Sequence, residues 1–537
     1  MKISFKYISI FFLFILGMNM TLVSCTSDLD VTPKDDDEFL SESFFQDQDS
    51  YKQVLAKLYA GLYVGGNDGD GKADIAGIGG DFSSYLRLLF VNQEFTTDEA
   101  VIAWADGTLP TLNTQTWSPN NEFLYGTYSR AFYEISLANE FLRQTTEEKL
   151  NARGVDATTK TDVANFRAEA RFLRAFSYAN LMDIFGNVPI TTEADPVGFF
   201  YPEQKTRAEV FAYVESELKD LDASLVASRA NEYGRIDKTA AKFLLAQIYL
   251  NAKVYTGTER YAEAAALCTD IINNSGYTFA NVPYRYLFSA DNDRNGAQSE
   301  FIFPIVSDGN AIRATGGGMS FILHASIGGS MDAAQYGMNG GWYGIRARRE
   351  FVALFPDATA TADKRGTFYT NGQTLDIANI GTFTNGYAVT KFRNVNSDGS
   401  AAQRNDIPDT DFPMFRLSDV YLMYAECAVR GAAGADMTTA VGYINKLRNR
   451  AQAATISASN MTLNFILDER ARELFWECHR RTDLIRFGKF TGADKIWQWK
   501  GGTENGTATA SFRDLMPIPA KTIQANPTLK QNPGYSN

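Results

Sequence analysis

Histidine is scarce in this chain. Only His324 and His479 occur among the 537 residues, and they stand far apart in no metal-ligand spacing. This excludes an HExxH zinc site and leaves no basis for a histidine-dependent catalytic triad. The phosphate-binding pattern GxxxxGK[ST] and the nucleophile pattern GxSxG are absent as well. We therefore expect no enzymatic activity. One alternative stays open, a glycosidase using a carboxylate pair that no motif identifies.

Positive charge is also in short supply. The 51 lysines and arginines are outnumbered by 63 acidic residues, which gives a net charge of −12. An acidic surface disfavours nucleic acids and anionic lipids as partners. The charge balance favours a protein that binds neutral ligands and no nucleic acid.

Cysteine is rare too. Cys25 lies near the N-terminus, and Cys268, Cys427 and Cys478 each lie in a helix-like pattern. Three cysteines cannot all pair within one chain, and a buried free cysteine behaves as a small hydrophobic residue. We therefore expect no disulfide framework.

A long apolar run occurs only at the N-terminus. Residues 1–24 hold two early lysines, an apolar run and then small residues, which is the pattern of a secretory signal peptide. Leu-Val-Ser-Cys at 22–25 matches a bacterial lipobox, in which Cys25 becomes the lipidated first residue; the alternative is an ordinary signal peptide with an incidental cysteine. Acyl chains hold a protein on a membrane without a spanning helix. We predict an exported, lipid-anchored protein with a polar tether at 25–48.

Most of the remaining chain shows helical periodicity. Thr206 precedes Glu209 by three residues, as in a capping box, and the pattern at 466–488 is helical. The segments at 236–255 and 260–276 place alanines between larger residues, as in the helical hairpins of tetratricopeptide repeats. We predict a mainly α fold, in which tetratricopeptide-like hairpins form the scaffold of a single domain. The domain spans 49–537, and the scaffold covers about 49–63, 120–290 and 413–490.

The intervening segments differ in composition. About 64–119, 291–412 and 491–537 are rich in Gly, Asn, Asp and Thr, with only short β-like runs. Binding residues concentrate in loops held by a rigid scaffold. We therefore expect these loop-rich insertions and short strands to carry the ligand-binding face.

Large aromatic residues stand in these loops. Trp104 precedes the helix breakers Gly107 and Pro110, and Trp342 and Tyr343 stand in the glycine-rich stretch GGWYG. Flat rings in loops suit pyranose rings, whose C–H faces pack on aromatic faces. We interpret the three rings as part of a sugar platform. The alternative is that they fix the loops to the scaffold.

Two acidic clusters form a candidate cation site. DNDRNG at 291–296 begins like a calcium loop, but its twelfth position is Ile302 and not the bidentate glutamate of an EF-hand. The second cluster, DIPDTD, ends in Asp409 and Asp411. The two oxygen sets would complete one calcium site if the fold joins them. The alternative is a pair of solvated loops with Asx turns.

Several stretches together resemble one known family. They are LVSC followed by DLDVTP, FRAEARFLRAFSYANLMDIFGNVP, FRLSDVYLMYAECAVR, ERARELFWECHRRTDLIRFGKF and the tail MPIPAKTIQANPTLKQNPGY. Over essentially its whole length the chain resembles the SusD/RagB family of outer-membrane lipoproteins. TTDEAVIAWADGTLPTLNTQTWSP and NGGWYGIRAR resemble its starch-binding members. The resemblance implies pairs of tetratricopeptide-like helices with a loop-rich ligand face. It also implies a partner, a SusC-like TonB-dependent transporter over which the protein sits as a lid.

The resemblance implies roles for particular residues. Trp104 and Trp342 match two sugar-stacking aromatics of the starch-binding members, and Arg87 matches an arginine that hydrogen-bonds sugar hydroxyls. The third stacking aromatic is missing, and Tyr343 is the neighbouring ring expected to replace it. Asp81 is expected to replace a carboxylate that the starch-binding members supply from a loop in a shifted position.

Both acidic clusters match calcium-associated loops of the family. The resemblance therefore makes Asp291, Asp293, Asp409 and Asp411 the expected ligands of a structural Ca²⁺. The ion would join the two insertions beneath the ligand face.

Taken together, the residues and the resemblance predict a lipid-anchored glycan-binding protein at the cell surface. It would deliver oligosaccharides, with a starch-type α-glucan as the leading ligand, to an outer-membrane transporter. Three alternatives stay open: a β-glucan such as laminarin or another neutral polysaccharide, a lid for peptide uptake, and the glycosidase.

Overall fold

A computed structural model describes residues 44–66, 72–312 and 314–536. The predicted signal peptide, Cys25 and all of the predicted tether except its last five residues lie outside this part of the chain. The chain divides into one unit from Met1 to Tyr51 and a second from Lys52 to Asn537. In the first unit, the rings of Phe45 and Tyr51 stack with 5.4 Å between their centroids. All contacts discussed below lie within the second.

Helices dominate the described residues and confirm the prediction of a mainly α fold. In chain order they are α1 (Ser50–Tyr63), α2 (Tyr85–Glu94), α3 (Pro110–Asn113), α4 (Glu122–Gln144), α5 (Glu147–Ala152), α6 (Ala157–Ile184), α7 (Arg207–Ser224), α8 (Lys238–Leu250), α9 (Ala252–Thr256), α10 (Tyr261–Asn274), α11 (Gly318–Ala325), α12 (Arg349–Val352), α13 (Leu417–Val429), α14 (Met437–Arg450), α15 (Leu463–Leu474), α16 (Arg480–Arg486) and α17 (Ala520–Ala525).

Long helices pack side by side in chain order. Helix α4 packs on α6, α6 on α7, α7 on α8, α8 on α10, α10 on α13, and α13 on α14. Small residues occupy the predicted pair α8 and α10, where Ala240, Ala241, Ala264 and Ala265 are buried. The arrangement confirms the predicted scaffold of tetratricopeptide-like hairpins.

Polar residues at the helix starts determine where these helices begin. The side chains of Asn121, Asp156 and Asp237 accept hydrogen bonds from backbone N–H groups in the first turns of α4, α6 and α8. Thr206 and Glu209 form the complete capping box that their spacing predicted for α7.

The helices differ from the sequence expectation in two ways: α2 and α11 lie inside segments that were expected to be loop-rich, and one predicted helix is interrupted. Helix α2 lies inside the segment 64–119, which was expected to be loop-rich. All ten of its residues are buried, including its polar ones, so it is not the surface helix that an apolar and a polar face would identify. The helical pattern at 466–488 is divided between α15 and α16. Trp476 and Cys478 adopt left-handed backbone conformations there, with φ of 61° and 66°, which interrupt the helical ladder.

The strands in the described residues form four two-stranded antiparallel sheets. The pairs are β1 (Ala100–Ile102) with β5 (Ile345–Ala347), β2 (Val188–Pro189) with β3 (Gln204–Lys205), β4 (Phe301–Ile305) with β8 (Phe412–Arg416), and β6 (Phe368–Tyr369) with β7 (Ala388–Val389). Of these sheets, the pair β1 and β5 joins the insertion at 64–119 to the insertion at 291–412.

Buried ion pairs tie β8 to the end of helix α15. Arg416 lies 2.8 Å from Glu473 and 2.6 Å from Glu477, and all three residues are buried. Burial by itself raises the pKa of Glu473, but Arg450, Arg416 and Arg365 together lower it to about 2. Removing one partner of such a cluster leaves an unpaired buried charge. Arg365, in the insertion at 291–412, lies 3.2 Å from Glu473 in the same cluster, so the cluster joins this insertion to the helical scaffold.

Cys268 and Cys427 lie in helices, as predicted, but Cys478 does not. Cys268, Cys427 and Cys478 are buried free thiols, and Cys478 lies in the break between α15 and α16. In the part of the chain that the structure describes, no helix is both long and apolar enough to cross a membrane.

Candidate functional site

A short sheet brings two distant tryptophans together. Strand β1 pairs with β5 in antiparallel register, with Ile102 opposite Ile345. Trp104 follows β1 by two residues, and Trp342 precedes β5 by three. Antiparallel pairing therefore places both side chains at the same end of the sheet, although 237 residues separate them in sequence.

Trp104 and Trp342 form a pair of half-buried rings, which we call the tryptophan platform. Their ring centroids lie 6.2 Å apart, and their planes are inclined by 47°. The indole Nε1–H of Trp104 donates a hydrogen bond to the backbone oxygen of Trp342 at 2.8 Å. This bond satisfies the only polar atom of the Trp104 ring and ties one ring to the backbone of the other. The platform is thus a bent aromatic surface.

The C-terminal end of helix α11 supports Trp342. The His324 ring stacks on the Trp342 ring with 4.4 Å between centroids and an angle of 11°. The two ring nitrogens of His324 lie 2.9 Å from the oxygen of Gly340 and 3.1 Å from that of Asp406. The backbone N–H of Trp342 donates to the His324 oxygen at 2.7 Å. One face of Trp342 is therefore covered, and a ligand ring can stack only on the opposite face.

Close backbone packing explains the glycines around Trp342. A Cβ on Gly341 would overlap the carbonyl oxygen of Ile327, and one on Gly344 would lie 3.0 Å from the Trp104 ring. A Cβ on Gly340 would meet nothing within 4 Å. Two of these glycines are therefore needed to bring the segment against α11 and Trp104.

Arg87 lies beneath the tryptophan platform. It is only 3% exposed, and its guanidinium carbon lies 4.1 Å from the ring centroid of Phe321 and 5.8 Å from that of Trp104. Its Nη1 donates to the backbone oxygens of Asp81 and Gly316. Burial lowers the pKa of Arg87 to about 9, even though the nearby Asp81 carboxylate raises it. The structure gives Arg87 a supporting position, and its hydrogen bond to a sugar hydroxyl stays a prediction.

Tyr343 and Asp81 are the two exposed members of the predicted site. Tyr343 is 54% exposed, has a φ of 55°, and packs edge-on against Phe383 with 5.8 Å between ring centroids. Asp81 is exposed and contacts Arg87 through its backbone oxygen. The ligand-binding roles of both residues stay predictions.

Two supporting residues on α11 were not expected from the sequence. Besides His324, Phe321 packs edge-on against Trp104 with 5.9 Å between ring centroids. Residues three apart share one side of a helix, so the two rings support the platform together. All eight residues of α11 are buried. Because no side of α11 is exposed and polar, its sequence alone does not indicate which side contacts the loops.

The first acidic cluster is engaged in contacts of its own. The Asp291 carboxylate accepts hydrogen bonds from the backbone N–H of Ser397 at 2.8 Å and from its hydroxyl at 2.6 Å. Asp293 pairs with Arg294 at 2.7 Å. The oxygens that a cation would need are thus engaged in the hydrogen bonds of Asx-type loops and in an ion pair.

The second acidic cluster is also hydrogen-bonded. Asp409 accepts from the backbone N–H of Gly309 at 2.8 Å, and Asp411 accepts from the Tyr233 hydroxyl at 2.7 Å. Burial raises the pKa of Asp411 to about 7, and the charges of Asp293 and Asp409 add to that increase. The backbone N–H of Asp411 donates to the side-chain oxygen of Asn292 at 3.1 Å, so the fold does bring the clusters near each other. Within the described ranges, however, no group of three or more His, Cys, Asp or Glu is arranged to hold a metal ion. The residues as placed do not fit calcium, and the calcium site stays a prediction.

The helical scaffold and the site define a class of protein: a tetratricopeptide-like scaffold whose loop insertions carry a bent aromatic platform. The chain belongs to the SusD family. A family model described as "SusD family" matches residues 328–535, and another, "Starch-binding associating with outer membrane", matches residues 81–250.

Individual relatives support this assignment, which confirms the family predicted from the sequence. The chain is 34% identical over 560 residues to the starch-binding protein SusD of Bacteroides thetaiotaomicron, covering 96% of each chain. It is 27% identical over 424 residues to the SusD-like protein P25 of Formosa agariphila, covering 72% of this chain and 76% of that one.

Solved structures share the fold. A SusD superfamily protein from Parabacteroides distasonis superposes with a TM-score of 0.69 at 23% identity, covering 91% of this chain and 99% of that one. The surface glycan-binding protein A from Bacteroides thetaiotaomicron, in complex with laminarihexaose, superposes with a TM-score of 0.65 at 19% identity, covering 90% and 98%. At these identities the likeness concerns the fold.

Proposed function

We propose that this protein captures starch-type α-glucans on the tryptophan platform and delivers them to a SusC-like TonB-dependent transporter. In this proposal it acts at the outer surface of the outer membrane, held by lipid on Cys25, and cleaves nothing. The observation that carries the proposal is the bent pair of Trp104 and Trp342, joined by the hydrogen bond from Nε1 of one to the backbone of the other.

The platform suits a sugar chain for physical reasons. The C–H face of a pyranose ring packs on an aromatic ring, while its hydroxyls stay in water or bond to polar neighbours. Two rings inclined by 47° match a chain that curves from one sugar to the next, as an α-1,4-glucan does. Each stacking contact contributes about 1 kcal/mol beyond the burial of apolar surface. We therefore expect an affinity between about 1 μM and about 1 mM.

The relatives support an α-glucan as the first ligand to test. The starch-binding protein SusD shares 34% of its residues with this chain over nearly the whole length of both. The family model that covers residues 81–250, and therefore Arg87 and Trp104, is described as starch-binding.

A β-glucan is the second candidate. The surface glycan-binding protein A that shares this fold was solved with laminarihexaose. Of the three aromatics expected from the starch-binding members, only Trp104 and Trp342 form the platform. A shorter aromatic surface also accepts a straighter chain.

Titration calorimetry of the purified protein in a neutral detergent tests the proposal. We expect maltoheptaose to bind and laminarihexaose to bind at least tenfold more weakly. Trp342→Ala should weaken maltoheptaose binding at least tenfold, which corresponds to about 1.4 kcal/mol. The matched control is Phe199→Ala, because Phe199 is an aromatic residue that is 85% exposed outside the platform.

Each other result has a defined meaning. Stronger binding of laminarihexaose selects the β-glucan. Binding of an oligopeptide but neither sugar supports a peptide lid, and release of glucose or maltose from maltoheptaose indicates a glycosidase. Equal maltoheptaose binding by Trp342→Ala and the unmodified protein contradicts the platform's role.

A further inference from the structure

A cavity lies between three loop segments away from the tryptophan platform. Its volume is about 480 Å³, and it is lined by the turn that carries Arg285 and Ser289, by residues 334–337, and by the hairpin at 393–401. We call it the arginine pocket. The arginine pocket shares no residue with the tryptophan platform.

Two arginines line this pocket, and no acidic residue does. The guanidinium carbons of Arg285 and Arg393 lie 5.4 Å from the ring centroids of Tyr286 and Tyr336, respectively. Nη2 of Arg393 donates to the backbone oxygen of Gln335 at 2.6 Å. Among the described residues, neither arginine forms an ion pair with a carboxylate.

Arg393 also has an unused donor. Its Nε is buried and lacks a hydrogen-bond partner among the described residues. Burial lowers the pKa of Arg393, and the positive charge of Arg285 lowers it further. Arg285 is exposed and Arg393 is half-buried, so an anion that enters the pocket meets two positive charges without a carboxylate partner in the described part of the chain.

The acidic residues next to the pocket are used elsewhere. Asp291 accepts from the backbone and hydroxyl of Ser397, and Asp398 accepts from the hydroxyl of Ser400 at 2.6 Å. Asp332 accepts from the backbone N–H two residues later. These hydrogen bonds engage the nearby carboxylates, so none of them pairs with the guanidinium groups of Arg285 and Arg393.

We propose that the arginine pocket binds an oxyanion, a carboxylate or a sulfate, and that an acidic sugar is the molecule that carries it. A guanidinium group presents a planar set of N–H donors that matches the oxygens of either anion. The cavity is larger than a free inorganic anion requires and falls in the size range of small-molecule sites. The oxyanion follows from the pocket alone, and the choice of a sugar as its carrier rests on the proposed function.

Salt should weaken the interaction. The net charge of −12 repels anions at long range, but at physiological ionic strength charges are screened beyond about 8 Å. Binding then depends on direct contact with the two arginines. We expect the affinity for an anionic ligand to fall as sodium chloride rises from 20 mM to 500 mM, roughly as for other exposed ion pairs.

Calorimetry and ligand-observed NMR with the full chain in a neutral detergent test the proposal. The probes are glucuronate, its uncharged methyl ester and sodium sulfate. We expect glucuronate to bind at least tenfold more tightly than the ester. Arg285→Gln should weaken binding at least tenfold. Arg393→Lys, which keeps the charge but loses the planar donor set, should weaken it severalfold. The matched control is Arg294→Gln, because Arg294 is exposed, pairs with Asp293 and does not line the pocket.

The outcomes separate the sources of the anion. Binding of glucuronate that needs Arg285 supports the acidic sugar. Binding of sulfate alone that needs Arg285 retains the oxyanion site and overturns the sugar. If neither anion binds, or if Arg285→Gln and Arg294→Gln bind them equally, the arginine pocket is not an anion site. Thermal unfolding of each variant shows whether it remains folded.

Discussion

At the scale of single residues, Glu134 is a buried carboxyl group with an unusual environment. It lies on helix α4, is 2% exposed, and neither of its side-chain oxygens has a hydrogen-bond partner among the described residues. The nearest cation, Arg130, is 3.9 Å away. Burial raises the pKa of Glu134 to about 8, because it outweighs the opposing effects of Arg130 and Lys57.

Glu134 should make the protein less stable as the pH rises. Between the ordinary pKa of 4.5 and about 8, the unfolded chain loses this proton and the folded chain keeps it, so the free energy of unfolding falls across that window. The full effect is at most about 5 kcal/mol. Glu134→Gln should therefore leave the Tm unchanged at pH 5 and raise it at pH 8.5.

Differential scanning calorimetry at both pH values measures this effect. Glu148→Gln, at an exposed position on α5, is the control and should shift the Tm little at either pH. An equal change of Tm at pH 5 and pH 8.5 in Glu134→Gln would show that the carboxyl group does not titrate in this window.

At the scale of elements, Gly340 and Gly341 test whether the segment that carries Trp342 needs glycine for close packing or only for flexibility. Gly341→Ala would place a methyl group on the carbonyl oxygen of Ile327, so the segment that carries Trp342 must move away from the turn that follows α11. Gly340→Ala has open space around its new methyl group. We expect the first variant to lose maltoheptaose binding at least tenfold and the second to retain it, as measured by calorimetry. Equal binding by both would show that the platform tolerates displacement of this segment.

The helical elements were largely predictable because they depend on local signals. The capping box of Thr206 and Glu209 and the alanine-rich pair α8 and α10 were correctly predicted from short stretches of sequence. The break at Trp476 and Cys478 was not, because no glycine or proline marks it. Its left-handed residues stand beside the buried Glu477, whose contacts with Arg416 are visible only in three dimensions.

The site was predictable in its composition but not in its geometry. Trp104, Trp342 and Tyr343 were recognised as aromatic residues in loops, and the first two do lie together. Their pairing depends on β1 and β5, two three-residue strands whose register no local pattern determines. The support from His324 was missed for the same reason, since it comes from a helix that is apolar on all sides.

At the scale of the whole molecule, the buried charge cluster around Arg416 joins the insertion at 291–412 to the helical scaffold. Arg416→Met would leave Glu473 and Glu477 short of a counter-charge in a buried site, which costs about 3–5 kcal/mol. We expect a large fall in Tm at pH 7. The control, Arg404→Met, removes an exposed ion pair with Asp406 and should change the Tm little.

The same cluster predicts acid sensitivity. Glu469 and Glu473 have pKa values lowered to about 2, because their arginine partners outweigh burial. Their contribution to stability is fully present above the ordinary pKa of 4.5 and is lost as the pH falls towards 2. Tm measured from pH 6 to pH 2 should fall steeply for the unmodified protein. An equally steep fall in Arg416→Met would show that this arginine is not what keeps Glu473 ionised.

The central claim is that the tryptophan platform is the place where a glucan binds. A crystal structure of the protein with maltoheptaose tests it most directly. We expect successive glucose rings to stack on Trp104 and on the face of Trp342 opposite His324. Maltoheptaose bound at another surface, with both tryptophan rings free of sugar, would contradict it.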